Sequence, residues 1–180
     1  KIKILDINRF LSRLNFLLNK SMISILNIKK RNEKFHSRYS AKARIYQYII
    51  LNRESVPTIN KNRVWHIRKK INLENIKRGA KFLVGIKDFS TFRASSCSAK
   101  SPIRTLEKVN ILKKKNQIFI EFRSRSFLQT QVRSMVGCLK YLGEGKWDLK
   151  KFKNVTLSKK RIFCAPPAPP SGLFLKKVIY

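Results

Sequence analysis

The chain is 180 residues long, and its 42 Lys and Arg against 9 Asp and Glu leave a formal net charge of +33 on a background that is 43% hydrophobic and holds 12 Phe. That much apolar side chain supports one core burying roughly 70% of the unfolded surface, which excludes disorder as the main state, and no run nears the ~20 apolar residues of a membrane span. A charge of this size calls for a polyanionic partner, nucleic acid by default, although the abundance of Lys, Asn and Ile also fits AT-rich codon usage as a second source of it.

In chain order, Ile2, Ile4 and Leu5 read as the end of a strand. With Lys1 in the place of an initiator Met, the chain reads as the downstream part of something longer. No basic start followed by an apolar run and a small-residue cleavage site marks a secretory leader. Asp6 is placed to cap a helix carrying Ile7, Phe10, Leu11, Leu14, Leu17 and Leu18 at helical spacing. The loose alternation from Met22 to Ile28 predicts a strand, and Lys29 to Lys34 a basic turn. Arg44 to Leu51 is aromatic and β-branched and predicts another strand, with a short one at Val64 to Ile67. Asn72 starts a helix with Leu73, Ile76, Ala80 and Leu83 on one face, ending near Gly85. A Ser-rich loop from Phe89 to Ser101 closes at Pro102.

Val109 and Ile111, then Ile118, Ile120 and Phe122, alternate with polar residues around the segment KKKNQ, which predicts a hairpin. Leu128, Val132, Met135, Val136, Leu139 and Leu142 form the clearest helical stripe, with Gly143 as its expected stop. A short helix from Asp148, a Pro-rich loop at 166–170 and a strand from Leu173 to Tyr180 complete the chain. Strands outnumber long helices, so the expected class is α+β, a mostly antiparallel mixed sheet with helices packed on one face, rather than a doubly wound parallel sheet. Cys97, Cys138 and Cys164 stand far apart with no CxxC and no His nearby. That argues against a zinc knuckle or a disulfide framework and predicts reduced, structural thiols.

Five segments, in order, carry a resemblance. FHSRYSA at 35–41 followed by ARIYQYII at 43–50, DFSTFRASSC at 88–97, SPIRTL at 101–106, FLQTQVRSMVG at 127–137 and APPAPPSGLFLKKVIY at 165–180 resemble the motifs of the TruA family of tRNA pseudouridine synthases. Ordered motifs across most of a chain are far more specific than any one of them. The resemblance implies the pseudouridine synthase catalytic fold and an isomerase that turns uridine into pseudouridine in the anticodon arm of tRNA. It also implies a homodimer in the cytoplasm with no metal or other cofactor and no membrane partner. The family's nucleophile is the Asp of a GRTDAGVHA motif, which this chain lacks: Asp6, Asp88 and Asp148 are its only aspartates, and none follows Gly-Arg-Thr. By family order the nucleophile would lie upstream of Lys1. Residues 1–32 are therefore expected to be the tail of the N-terminal half of the catalytic fold and 33–180 its C-terminal α/β half, inactive alone. The alternative is a non-catalytic basic RNA-binding remnant of the same fold.

Pseudouridine formation breaks the bond between ribose and nitrogen, turns the uracil and rejoins it through carbon, so the base must first leave its stack. An aromatic face offsets the few kcal/mol this costs. Tyr46 matches the family tyrosine that stacks on the target uracil; read from its strand alone, it is a core aromatic sharing a face with Tyr48. Arg133 matches the arginine that pairs with the catalytic carboxylate, a task suited to the planar guanidinium fork. Within this chain it would then lack a counter-ion, whereas composition alone makes it a solvated charge. Gly172 and Leu173 match the apolar edge of the family pocket, or else belong to a core strand. His36 and Arg38 beside the YSA turn, and Arg93 and Arg104 as loop cations, are candidate contacts to RNA backbone.

Overall fold

The computed structural model describes residues 6–180, so the strand end expected over Ile2 to Leu5 lies outside the described residues. Two compact units divide the chain between Tyr39 and Ser40. In the first, α1 (Ile7–Leu18) starts at Asp6, whose Oδ1 accepts the amides of Asn8 at 2.9 Å and Arg9 at 3.1 Å. These are two of the four amides that a helix start leaves open. No side chain of α1 is buried. The strand predicted over Met22 to Ile28 does not form; the segment runs without ladder pairing. Asn15 gives one physical reason: its Oδ1 accepts the Ile25 amide at 2.7 Å and its Nδ2 donates to the Ile25 carbonyl at 2.9 Å, so the backbone groups a neighbouring strand would pair are satisfied locally.

The second unit runs β1 (Ala43–Asn52), β2 (Trp65–Ile67), α2 (Leu73–Lys81), β3 (Gly85–Asp88), β4 (Ile103–Lys114), β5 (Gln117–Ser124), α3 (Gln131–Gly143), α4 (Leu149–Leu157) and β6 (Leu173–Ile179). All six strands join one mixed sheet, five of them in the order β2-β1-β5-β4-β3 and the sixth, β6, paired with β1. One edge of β1 is shared: β6 pairs antiparallel with Ala43–Tyr48 and β2 parallel with Ile50–Asn52. The other strand pairs are antiparallel, as the α+β class predicts.

One face of the sheet holds the core. Tyr48 and Ile50 of β1 stand opposite Ile120 and Ile118 of β5, and all four are within 1% of full burial. Ile76 and Ala80 of α2, Met135, Val136, Leu139 and Leu142 of α3, and Phe152 of α4 complete this core. Burying each large apolar side chain contributes ~1.5 to 3 kcal/mol relative to exposure. The other face carries Gln47, Glu121 and Lys176: Gln47 Nε2 donates to Glu121 Oε1 at 2.7 Å, and Lys176 pairs with the same oxygen.

Helix α3 ends at Gly143, the stop its spacing predicts, and an added Cβ there would fall 2.8 Å from atoms of Ile71 and Ile76. The chain turns at Gly145, whose φ of +73° suits a residue without Cβ. Strand β3 was not foreseen, because Ile86 is its one large apolar side chain and points to solvent, 75% exposed. By pairing Gly85–Asp88 with Ile103–Leu106 it draws β4 back to Ile103, so Arg104 is a strand residue and not a loop cation.

Candidate functional site

A cleft of about 410 Å³ opens where the start of α3 meets β1 and β6, lined by Tyr46, residues 127–133 and Leu173. Its size falls in the ~300 to 1,000 Å³ range of small-ligand sites. A smaller hollow of about 290 Å³ on the opposite face of the sheet includes Gln47, Glu121 and Lys176, whose polar groups already satisfy one another.

Local register places Tyr46. Against β6, Ile45 pairs with Lys177 but Tyr46 pairs with Leu175, so Lys176 is an extra residue and the ladder bulges beside Tyr46. A bulge of this kind raises the local twist and re-aims side chains. Phe127, from the turn before α3, meets the Tyr46 ring edge-on at 5.2 Å and 88°. Tyr46 is half-buried in the cleft wall, whereas Tyr48 is fully buried and donates its hydroxyl to the Pro169 carbonyl at 2.7 Å.

Most of α3 is buried, and Arg133 and Lys140, seven residues apart, are among its few half-buried positions. Arg133 is clamped by the Pro-rich loop: its Nε donates to the Ala168 carbonyl at 2.6 Å, and its own carbonyl accepts the Ala168 amide at 3.0 Å. Gly137, one turn further along, is where that loop presses on the helix, since a Cβ there would lie 2.1 Å from the Pro166 carbonyl oxygen. No carboxylate among the described residues pairs with Arg133. Its charge does reach Tyr48: burial pushes the Tyr48 phenol well above its ordinary value, and Arg133 pulls the other way. The expected uncompensated cation is thus tied down at Nε by a carbonyl, which the sequence did not signal.

The turn into α3 is unusual. Thr130 adopts φ +67° and makes no cap hydrogen bond, a strained conformation for a β-branched residue and one that recurs at functional sites. Gln131 holds the turn, its Oε1 accepting the Leu128 amide at 2.8 Å while its own amide donates to the Leu128 carbonyl at 3.2 Å. Its Nε2 is buried with no partner.

The remaining candidates fall in different places. Leu173 lines the cleft. Gly172 lies behind it, where a Cβ would come within 2.7 Å of the Tyr48 ring and 2.8 Å of the Ile49 carbonyl oxygen, so the close approach is to Tyr48. Arg93 donates to the Cys97 carbonyl at 2.9 Å. Arg104 Nη1 donates to the Ser101 carbonyl at 2.9 Å and the Ile103 carbonyl at 2.6 Å, while its Nε is buried without a partner. None of these three lines the cleft. His36 and Arg38 belong to the first unit. There His36 Nδ1 accepts the amides of Arg38 and Tyr39 at 3.1 and 3.3 Å, and the Arg38 guanidinium lies 5.7 Å from the centre of the Tyr39 ring.

The aspartates are occupied elsewhere. Asp6 and Asp148 are helix caps, Asp148 accepting the Lys151 amide at 2.6 Å. Asp88 accepts the Ser90 amide at 2.8 Å. Burial works to raise its carboxyl, but hydrogen bonds from the Ser90 hydroxyl and amide and the charge of Lys159 outweigh it and hold the carboxyl below its ordinary value. Among the described residues no three His, Cys, Asp or Glu are grouped to hold a metal ion, and no helix is long and apolar enough to cross a membrane. Phe127 and Thr130 were missed as cleft residues. The signal for Phe127 lay in the motif FLQTQVRSMVG, of which it is the first residue; a positive φ at Thr130 has no sequence signal.

A half-buried aromatic and a guanidinium without an acidic partner, sharing one cleft of a strongly basic α+β unit, can receive a planar base and an anion together. A family model described as tRNA pseudouridine synthase matches residues 80–180. A tRNA pseudouridine synthase A of Pelagibacter ubique is 61% identical over 180 residues, spanning 100% of this chain and 73% of that protein. Proteins of the same name from Bartonella tribocorum and Caulobacter vibrioides are 46% and 40% identical, each over 93% of this chain and 68% of their own length. The chain belongs to the tRNA pseudouridine synthase family.

Proposed function

We propose that residues 1–180 form the part of a tRNA pseudouridine synthase that receives the flipped uridine and positions the catalytic carboxylate. The observation that carries this reading is the cleft shared by Tyr46 and Arg133. Tyr46 stacks on the uracil, and its hydroxyl helps remove the proton from the carbon that forms the new bond to ribose. Its ring, held edge-on by Phe127, offers a surface already ordered before the base arrives. Arg133, anchored through Nε to Ala168, directs its remaining donors at a carboxylate, which holds it in two parallel hydrogen bonds. Since the chain holds no Gly-Arg-Thr-Asp sequence and its three aspartates are engaged with backbone amides, that carboxylate comes from outside residues 1–180. Leu173 and the Gly172 backbone close the apolar side.

His36, Arg38, Arg93 and Arg104 contact RNA backbone, with tRNA as the substrate and the anticodon arm as the region modified. The enzyme works in the cytoplasm as a homodimer, with residues 1–32 ending the N-terminal half of the catalytic fold and 33–180 forming its C-terminal half. The test is release of tritium from tRNA labelled at carbon 5 of uridine. Residues 1–180 alone are expected to release none, because the covalent step lacks its nucleophile. A chimera with the part of the P. ubique protein that this chain does not match is expected to release it, and Tyr46→Ala in that chimera to abolish release while tRNA binding falls only modestly. Full activity of the Tyr46→Ala chimera would remove Tyr46 from the site, and release by residues 1–180 alone would move the nucleophile into this chain.

A further inference from the structure

Cys138 and Cys164 are 26 positions apart, yet their Sγ atoms lie 3.5 Å from each other, in contact but short of the ~2.05 Å of a disulfide. Cys138 is buried on α3; Cys164 follows the turn Arg161–Phe163 at the head of the Pro-rich loop and is only partly covered. Their surroundings make them unequal. The hydrogen bond between the two thiols lowers the Cys164 thiol against the effect of burial, with the Arg161 guanidinium and the Ser134 hydroxyl adding to the lowering. The same bond, together with burial, pushes Cys138 up. Arg161 is fixed for this task, its Nη1 donating to Ser134 Oγ at 2.8 Å and reaching the Thr91 carbonyl at 3.4 Å. A partly exposed thiol held below its ordinary value beside a cation, with a second thiol in contact, is the arrangement of a redox-active pair.

We propose that Cys138 and Cys164 are a reversible dithiol–disulfide site, oxidised by hydroperoxide, that staples the Pro-rich loop to α3. The Cys164 thiolate attacks the O–O bond of hydrogen peroxide, forming a sulfenic acid and releasing hydroxide. The Cys138 sulfur then displaces the sulfenic oxygen, and the proton it gives up leaves with that oxygen as water. The hydroxide takes up the proton that the Cys164 thiol lost on ionising, so two thiols have lost two protons and two electrons, and one peroxide has become two waters. The staple lies four residues from Ala168, which grips Arg133 from both sides. In the oxidised chain the loop that grips this arginine is therefore anchored covalently to α3.

The test uses the 180-residue chain, oxidised with hydrogen peroxide and mapped under non-reducing conditions. Titratable thiols in denaturant are expected to fall from the three of the sequence to one, with Cys97 the one remaining. Trypsin is expected to release residues 134–140 joined to residues 162–176 as a species two hydrogens lighter than the sum of the two peptides. The thermal midpoint should rise on oxidation and return with dithiothreitol, and Cys138→Ala or Cys164→Ala should eliminate the linked peptide. Separate alkylation of both cysteines after oxidation, a link to Cys97 or between chains, or a lower midpoint in the oxidised form would each overturn the proposal. The peptide map of the unmutated chain decides the matter even if neither alanine variant folds.

Discussion

At the scale of single residues, Arg133 has the most to lose. Its Nε–Ala168 bond is charge-assisted and partly shielded from water, and bonds to charged groups contribute about 1.5 to 3 kcal/mol. Arg133→Met keeps the apolar stem, removes the donor and leaves the Ala168 carbonyl unpaired. The half-exposure of the arginine places the expected loss near the lower bound, about 1.5 kcal/mol in urea denaturation. A variant more stable than the parent would mean that the charge is repelled in its place and that the Ala168 bond contributes nothing. The arginine was legible as a site candidate through the motif around it. Its carbonyl anchor was not, because Ala168 lies 35 positions away and an alanine gives no sign of what its backbone binds.

At the scale of elements, α2 and α4 begin where Asn72 and Asp148 invite them, each side-chain oxygen accepting a backbone amide in the first turn. The turn into α3 obeys no such rule. Thr130 occupies the left-handed region, which costs an L-residue ~1 to 2 kcal/mol, and its hydroxyl caps nothing. Thr130→Asn, a residue more tolerant of that conformation, is expected to raise stability by ~0.5 to 1 kcal/mol. Chemical denaturation checks it: a loss of stability would mean that the threonine methyl or hydroxyl holds the cleft wall together. Strand β3 and the missing strand at Met22 to Ile28 share one cause. Ladder pairing decides whether a short segment is a strand, and partners remote in sequence supply it or fail to.

At the scale of the whole molecule, the charge of +33 makes a quantitative demand. If the surface meets some six phosphates of tRNA, counterion release should weaken binding by roughly 10³-fold between 50 and 200 mM salt. Filter binding or fluorescence titration across that range measures the slope. A flat response would assign the charge to codon usage on a surface that never meets RNA.

The sequence by itself determined the α+β class, the α3 stripe, the central strand β1 and the family, because alternation, helical spacing and motif order are local properties that survive without coordinates. Tertiary structure decided why Tyr46, which the motif singled out, lines the cleft while Tyr48 is core, since the two share a face of β1 and differ only in what packs over them. It also decided the bulge beside Tyr46, the grip of Ala168 on Arg133 and the meeting of Cys138 with Cys164. Each of these joins segments far apart in the chain. Such contacts form only when the sheet and helices close around a common core, so no window of sequence contains them.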